Sequence, residues 1–374
     1  MEFLIETFLL LQWQHVIMWL IGGVLIYLAI KKDMEPALLL PMGFGAILVN
    51  LPNSGAVTQI LADGTAQHGF LSVLFDAGIA NELFPLLLFI GIGAMIDFTP
   101  MLSNPKMMIF GAAAQFGIFF TLLMALFFGF AVNDAASIAI IGAADGPTSI
   151  FVANQLNSTY TGAITVAAYS YMALVPIVQP PVIRAITTKK ERLIRMEYSS
   201  SDVSKTTKIL FPIVITIIAG LVAPLSVSLI GSLMFGNLIR VCGVLDSLSE
   251  TAQKTLANLI TLLLGITIAT KMQWEQFLQF QTLLIMGLGL IAFVFDTVGG
   301  VMIAKLFNLF SRTKINPMIG AAGISAFPMS SRVVNKMGLQ EDNQNFLLMH
   351  AVGVNVSGQI ASVIAGGLIL SMFS

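Results

Sequence analysis

Apolar residues run along this chain in long blocks that polar residues interrupt only briefly. Blocks such as 15–30, 107–132, 209–230 and 282–304 approach or exceed the roughly 20 residues that a helix needs to cross a bilayer. The alternating segments of about 10 residues that a membrane barrel requires are absent. Continuous membrane helices are predicted at 15–30, 37–51, 70–80, 84–96, 107–132, 161–183, 209–230, 255–270, 282–304 and 346–372. Two more segments, 135–153 and 316–331, have the same apolar character but are broken by Gly, Pro and Ser. The expected fold class is an all-α polytopic membrane protein with about nine to eleven membrane segments.

The two broken segments resemble each other. IGAADGPTSIFVANQ (141–155) answers IGAAGISAFPMSSRVVNK (319–336), and PTSIFVANQL (147–156) shares Pro, Ser, Val and Asn at equal spacing with PMSSRVVNKM (328–337), at an offset of 181 residues. Upstream, FPLLLFIGIGAMIDF (84–98) precedes the first copy as LITLLLGITIATKMQ (259–273) precedes the second. Two matches in the same order predict duplicated halves: 1–183 with a hairpin at 135–156, and 209–374 with a hairpin at 316–337. The expected halves are inverted relative to one another. Breaking a helix frees backbone N–H and C=O groups, which lipid cannot satisfy. Such breaks at corresponding positions of two halves point to a transporter-like binding site near the membrane midplane.

Between the halves lies the long polar stretch 184–208. It holds seven basic residues, Arg184, Lys189, Lys190, Arg192, Arg195, Lys205 and Lys208, so it is expected on the cytoplasmic side. Composition agrees with the membrane assignment, at 57% hydrophobic and 10% charged residues and a mean hydropathy of +0.90. The net charge of -1 argues against nucleic acid as a partner. The single Cys242 excludes an internal disulfide and a cysteine metal cluster. The N-terminal stretch, with Glu2 and Glu6 and no basic run ahead of its apolar residues, reads as retained membrane helix rather than signal peptide.

An acidic side chain at the centre of a membrane is costly, so its presence points to function. Asp145 and Asp296 lie within apolar segments, and Asp145 falls on the first break, among Gly142, Gly146, Pro147, Thr148 and Ser149. Carboxylate, hydroxyl and freed carbonyl oxygens without His or Cys suit a hard cation. One carboxylate with several neutral oxygens favours a monovalent ion such as Na+. The second break offers neutral partners: Asn316, the carbonyls around Gly320, Ser325 and Ser330. The structural alternative for Asp145 is a helix cap or a partner for Arg332. Tyr169, Tyr171, Asn355, His350 and Gln359 complete the intramembrane polar groups, each able to serve either a site or helix packing.

NDAASIAIIGAADGPTSIFVAN, NPMIGAAGISAFPMSSRVVNK, LLMHAVGVNVSGQIASVIAGG and YLAIKKDMEPALLLPMGFGAILVNLP resemble the beta subunit of the sodium-pumping biotin-dependent decarboxylases, over nearly the whole chain. The resemblance implies a subunit of the bacterial inner membrane that decarboxylates carboxybiotin, consumes a proton and exports Na+. It carries the family's catalytic roles to Asp145, Tyr171 and Arg332, with Arg332 also facing carboxybiotin. Its Na+ ligands fall on Asp145, Thr148, Asn316, Gly320, Ser325 and Asn355. It further implies a biotin carrier protein, a carboxyltransferase subunit, a small membrane-anchoring subunit and homo-oligomers in the complex. The chain has no AMKM-like biotinylation motif, so biotin is expected on a partner. A compact length tilts the expectation towards an acyl-CoA decarboxylase. The competing readings are a stand-alone sodium/proton or sodium/solute transporter and a membrane anchor for a soluble enzyme.

Overall fold

The computed structural model describes residues 9–61, 63–197 and 203–373. The expectation for Glu2 and Glu6 lies outside them. Almost everything described is helical: α1 Trp13–Lys32, α2 Pro36–Val49, α3 Leu83–Met95, α4 Met107–Ala113, α5 Phe116–Phe127, α6 Val132–Ala139 and α7 Gly146–Gln155. They are followed by α8 Thr161–Ile186, α9 Lys205–Val222, α10 Val227–Val241, α11 Ala257–Ile268, α12 Phe280–Phe310, α13 Met329–Glu341 and α14 Leu348–Phe373. The only strands among the described residues are a two-residue antiparallel pair, Gln59–Ile60 with Ala66–Gln67.

Among the described residues, eight helices are long and apolar enough to cross a membrane, or nine if the bent pair Phe70–Ala80 and Leu83–Met95 counts as one span. Pro36–Val49 and Val132–Ala143 are shorter apolar helices. The segment expected as one span at 209–230 is two. Ala223 leaves helical geometry at φ -137°, ψ 72°, and Pro224 follows. Proline lacks the N–H that would continue the helix, so the chain turns and α10 returns alongside α9. A second break divides 107–132 at Ala114 and Gln115, between α4 and α5.

Both predicted interruptions are hairpins. In the first, α6 passes into a 3-10 turn at Ile140–Ala143, Ala144 adopts a left-handed φ of 52°, and Asp145 caps α7, whose first turn holds Pro147. In the second, Asn316 opens a 3-10 segment at Pro317–Gly323, an extended stretch follows, and α13 leads back. Helix α8, 26 residues long, separates the bases of the two by about 39 Å. At its start, the Asp134 carboxylate of α6 accepts from Ser158 Oγ at 2.7 Å and Thr159 N at 3.0 Å. At its far end, Arg192 pairs with Glu341 at 2.7 Å and Arg195 with Asp342 at 2.6 Å, both carboxylates belonging to the α13 end. The hairpins therefore enter the bundle from opposite ends and meet within it, where Ser325 N donates to Ala143 O at 2.9 Å. The basic residues of 184–197 cluster at the second base, hereafter the basic end.

The core around the meeting point is made of small and β-branched residues, including Ala135, Ala139, Ile141, Ala143, Ala167 and Ala168 in one cluster and Ala321, Ala322, Ile324 and Ala326 in the next. Small side chains let backbones approach closely where burying apolar area between helices supplies little force. One such close approach is Gly300 of α12 against Gly320: a Cβ on either would collide with the other's carbonyl oxygen.

Candidate functional site

Asp145 is buried at the tip of the first hairpin. One carboxylate oxygen accepts from Thr148 N at 3.3 Å, the usual N-cap bond. The other accepts from Ser362 Oγ of α14 at 3.0 Å. Among the described residues, no Lys or Arg pairs with it. The cap expected as an alternative to function is thus present, but capping leaves the charge uncompensated.

Helix α14 connects the tips. Asn355, Gln359 and Ser362 share one of its faces, at i, i+4 and i+7. Asn355 Nδ2 donates to Ala322 O at 3.0 Å and Ile324 O at 2.7 Å, and Gln359 Nε2 donates to Ser325 O. Ser325 Oγ in turn donates to Gly358 O at 3.1 Å. The second tip is therefore laced to α14 one to two turns from the point where Ser362 holds Asp145.

Three buried oxygens around these tips make no hydrogen bond, Asn355 Oδ1, Gln359 Oε1 and the Tyr169 hydroxyl, while the Thr148 side chain interacts with the Asp145 carboxylate. An unpaired polar atom in a membrane interior costs free energy comparable to a lost hydrogen bond or more. Three of them near one carboxylate without a basic partner make this a candidate ligand site. Every donor is a hard oxygen, and no group of three His, Cys, Asp or Glu side chains exists among the described residues. That set suits a monovalent cation rather than a transition metal.

A cavity of about 210 Å³ reaches this point, lined by Asp145, Tyr169, Ser325, Gln359 and, further out, Glu35 and Asn258. Glu35 precedes α2 with a left-handed φ of 37°. Burial pushes its carboxyl above the ordinary range, and the nearby Arg332 guanidinium partly offsets this. Arg332, exposed on α13, lies one turn beyond Pro328, which also lines the cavity. It stands beside Glu35, not against Asp145.

Asp145 and Ser325 are brought to one cavity, with Thr148 beside Asp145 and Asn355 bonded to the second tip, two turns along α14 from Ser362. Asn316 and Gly320 are not brought there. The side chain of Asn316 is spent at the basic end, where Nδ2 donates to Arg192 O and Ile194 O at 2.9 Å each and Oδ1 accepts from Met318 N at 3.1 Å. Seven residues of 3-10 helix, rising about 2.0 Å each, separate it from the tip. Gly320 provides the close contact with Gly300 instead. Ser330 bonds Gln179 and Ala321 O. Tyr171 is turned away: its hydroxyl donates to Met286 O of α12. Tyr169, two residues earlier, faces Asp145 with its ring packed on Gly146. Asn316→Ala is expected to lower the thermal midpoint in detergent, through about 1–3 kcal/mol of lost hydrogen bonding, and to leave Na+ dependence unchanged. A shifted Na+ titration at unchanged stability would return Asn316 to the ion site.

Ser362 has no counterpart in the sequence expectations. The signal for it was the shared i, i+4, i+7 spacing of Asn355, Gln359 and Ser362 on a largely apolar helix.

Fold and site together define a polytopic helical membrane protein with an oxygen-lined pocket where two oppositely entering hairpins meet. The family model described as Na+-transporting oxaloacetate decarboxylase beta subunit matches residues 14–373, and the chain belongs to that family. It is 48% identical to the methylmalonyl-CoA decarboxylase subunit beta of Propionigenium modestum, over 96% of this chain and 94% of the relative. It is 47% identical to the glutaconyl-CoA decarboxylase subunit beta of Acidaminococcus fermentans, over 98% and 95% respectively. It is 46% identical to the oxaloacetate decarboxylase beta chain of Klebsiella pneumoniae, over 95% and 94%. The protein is accordingly a multi-pass membrane subunit of a decarboxylase, located in the bacterial inner membrane.

Proposed function

We propose that this subunit decarboxylates carboxybiotin carried by a separate protein, and that the reaction drives Na+ outward while a proton is taken up. The observation that carries this reading is the buried carboxylate of Asp145 at the hairpin tips, without a basic partner and close to orphaned neutral oxygens. In the decarboxylation, the bond from the ureido nitrogen to the carboxylate carbon breaks, CO2 leaves, and the electron pair left on nitrogen takes a proton.

Asp145, Thr148, Ser325, Asn355 and Gln359 hold Na+ in this scheme. Arg332 and Glu35, at the outer part of the cavity, receive the carboxylated ureido head. Arg332 attracts its carboxylate, and the apolar wall of Leu88, Ile92 and Met95 strips water from it, which favours loss of CO2. The Tyr169 hydroxyl lies between the two regions and Tyr171 fixes α8 against α12, a positioning role. The two hairpins are the moving parts of duplicated, inverted halves, 1–183 and 209–374, joined by the basic linker 184–208. A carrier protein, a carboxyltransferase subunit and a small anchoring subunit complete the assembly, with several copies of this chain. Exporting Na+ against the potential costs about 2.3 kcal/mol per 100 mV, so the ion must not slip past the pocket uncoupled.

The alignments with the two acyl-CoA relatives span 374 and 365 positions, against 407 with the oxaloacetate relative. The oxaloacetate branch thus carries insertions that this chain lacks, which favours an acyl-CoA as the ultimate carboxyl donor.

The test is proteoliposomes given carboxybiotin on its carrier protein, with CO2 release and movement of radioactive sodium followed together. Decarboxylation indifferent to Na+, or without Na+ movement, would overturn the reading. In the same assay Thr148→Val, Ser325→Ala and Asn355→Ala should each raise the Na+ concentration for half activity by about tenfold or more, the worth of one hydrogen-bonding group on a charge. Unchanged titrations in all three would remove the neutral oxygens from the site.

A further inference from the structure

At the basic end, away from the ion pocket, a groove of about 550 Å³ opens between α12 and the segment after α8. Its rim carries Lys190, Lys305 and Lys314, and its floor is apolar, with Met302, Leu306 and Leu309. A second groove, about 520 Å³, lies deeper along the same helix between α4–α5 and α12, lined by Ala113, Phe116, Phe119 and Gly299. Met302 belongs to both. Gly299, Met302, Leu306 and Leu309 are spaced at i, i+3, i+7 and i+10, so they form one stripe on α12. The stripe spans about 15 Å, roughly half the hydrocarbon thickness of a bilayer. Met302, Leu306 and Leu309 are all exposed, and no protein element among the described residues covers them.

The charges are one-sided. Glu191 is engaged by Lys305 at 3.1 Å. Lys305 Nζ also donates to Ile186 O at 2.9 Å and Lys314 Nζ to Ser311 O at 3.2 Å, so both ammonium groups are anchored at the rim. With three lysines against one glutamate, the rim carries a net charge of about +2 at neutral pH. Basic pockets between membrane helices at the cytoplasmic surface suit anionic lipid headgroups. A soluble protein partner could meet the lysines but not the stripe, which runs into the hydrocarbon along α12.

The geometry points to a binding site for one anionic phospholipid, its phosphate between Lys190 and Lys314 and one acyl chain along the Gly299–Leu309 stripe. The deep end of the stripe rests on the break between α4 and α5, where Gln115 Nε2 donates to Gly323 O of the second hairpin at 3.3 Å.

The experiment is native mass spectrometry of the full chain titrated with dioleoyl phosphatidylglycerol or dioleoyl phosphatidylcholine. One phosphatidylglycerol is expected to stay bound after phosphatidylcholine has dissociated. The double variant Lys190→Gln/Lys314→Gln should weaken phosphatidylglycerol by roughly 30-fold, since each lysine contributes about fivefold near a charged lipid surface. Lys31→Gln/Lys32→Gln, changed elsewhere on the surface, should not. Met302→Trp, which fills the junction of the grooves, should reduce retention with both lysines intact, so the inference remains testable if the double variant misfolds. Equal retention of the two lipids would overturn it, as would an unchanged preference in both test variants. Displacement of the lipid by an equal concentration of inorganic phosphate would overturn it too, because a lipid held by its acyl chain as well as its phosphate must bind more tightly than phosphate alone.

Discussion

Asp145→Asn is expected to reduce Na+-dependent decarboxylation by about 1,000-fold, equivalent to about 4 kcal/mol, while the protein stays folded and in its membrane. The size follows from what the residue supplies. The other oxygens at the tips are neutral, so without the carboxylate a cation entering the pocket has no counter-charge in a low-dielectric setting, where ion solvation is most costly. Folding should survive because asparagine can reproduce the local bonds. Its Oδ1 can accept from Thr148 N, as the carboxylate does at 3.3 Å. Its Nδ2 can donate to Ser362 Oγ, whose hydroxyl hydrogen already has the Gln359 carbonyl as an alternative acceptor at 3.0 Å. Circular dichroism and size exclusion in detergent check the fold, and CO2 release against Na+ concentration checks the activity. Normal turnover with normal Na+ dependence would remove Asp145 from the mechanism.

The sequence made one half of this site readable and hid the other. Asp145 stood out because an acid beside Gly146 and Pro147 in an apolar segment breaks two rules at once, and the structure places it at a helix break as those rules require. The helix that joins the tips was much harder to see. Serine is common in packed membrane helices, so Ser362 carried little signal until Asn355 and Gln359 were seen to share its face. Which of two tyrosines faces the pocket is a matter of about 200° of helical rotation, and periodicity in an apolar helix buried on several sides does not fix that angle. Ring packing on Gly146 does, and it selects Tyr169. Asn316 misled for a different reason. Close in sequence to Ser325, it is held away by extended 3-10 geometry and by the carbonyls of Arg192 and Ile194, contacts across more than 120 residues that no local pattern encodes. The span Val227–Val241 was absorbed into its neighbour because a single Pro224 had to be read as a turn between two helices rather than a kink in one.

Na+ and H+ are expected to compete for Asp145. Its side chain is buried, is held by neutral donors of Thr148 and Ser362 and has no basic partner among the described residues. Leaving such a carboxylate ionised and empty is strongly unfavourable, so it should hold either a proton or a cation at all times. Each Na+ bound then displaces one proton, as for any cation whose ligand must first deprotonate. The sign follows directly: lowering the pH raises the proton occupancy and weakens apparent Na+ affinity, by up to about tenfold per pH unit where the protonated form dominates. The same exchange supplies coupling, because an emptied site can reset only by taking up a proton. Carbodiimide attacks the protonated carboxyl and reports which occupant is present. Labelling of Asp145, read by mass spectrometry of its peptide, should be fast at low pH without Na+ and suppressed by Na+. The Na+ concentration that protects should fall as the pH rises. Ser362→Ala removes one of the hydrogen bonds to the carboxylate and should shift the balance towards the proton, so that more Na+ is needed for protection at each pH. Labelling that ignores Na+ at both high and low pH would show that the two ions do not share this carboxylate, and the exchange mechanism would fail with it.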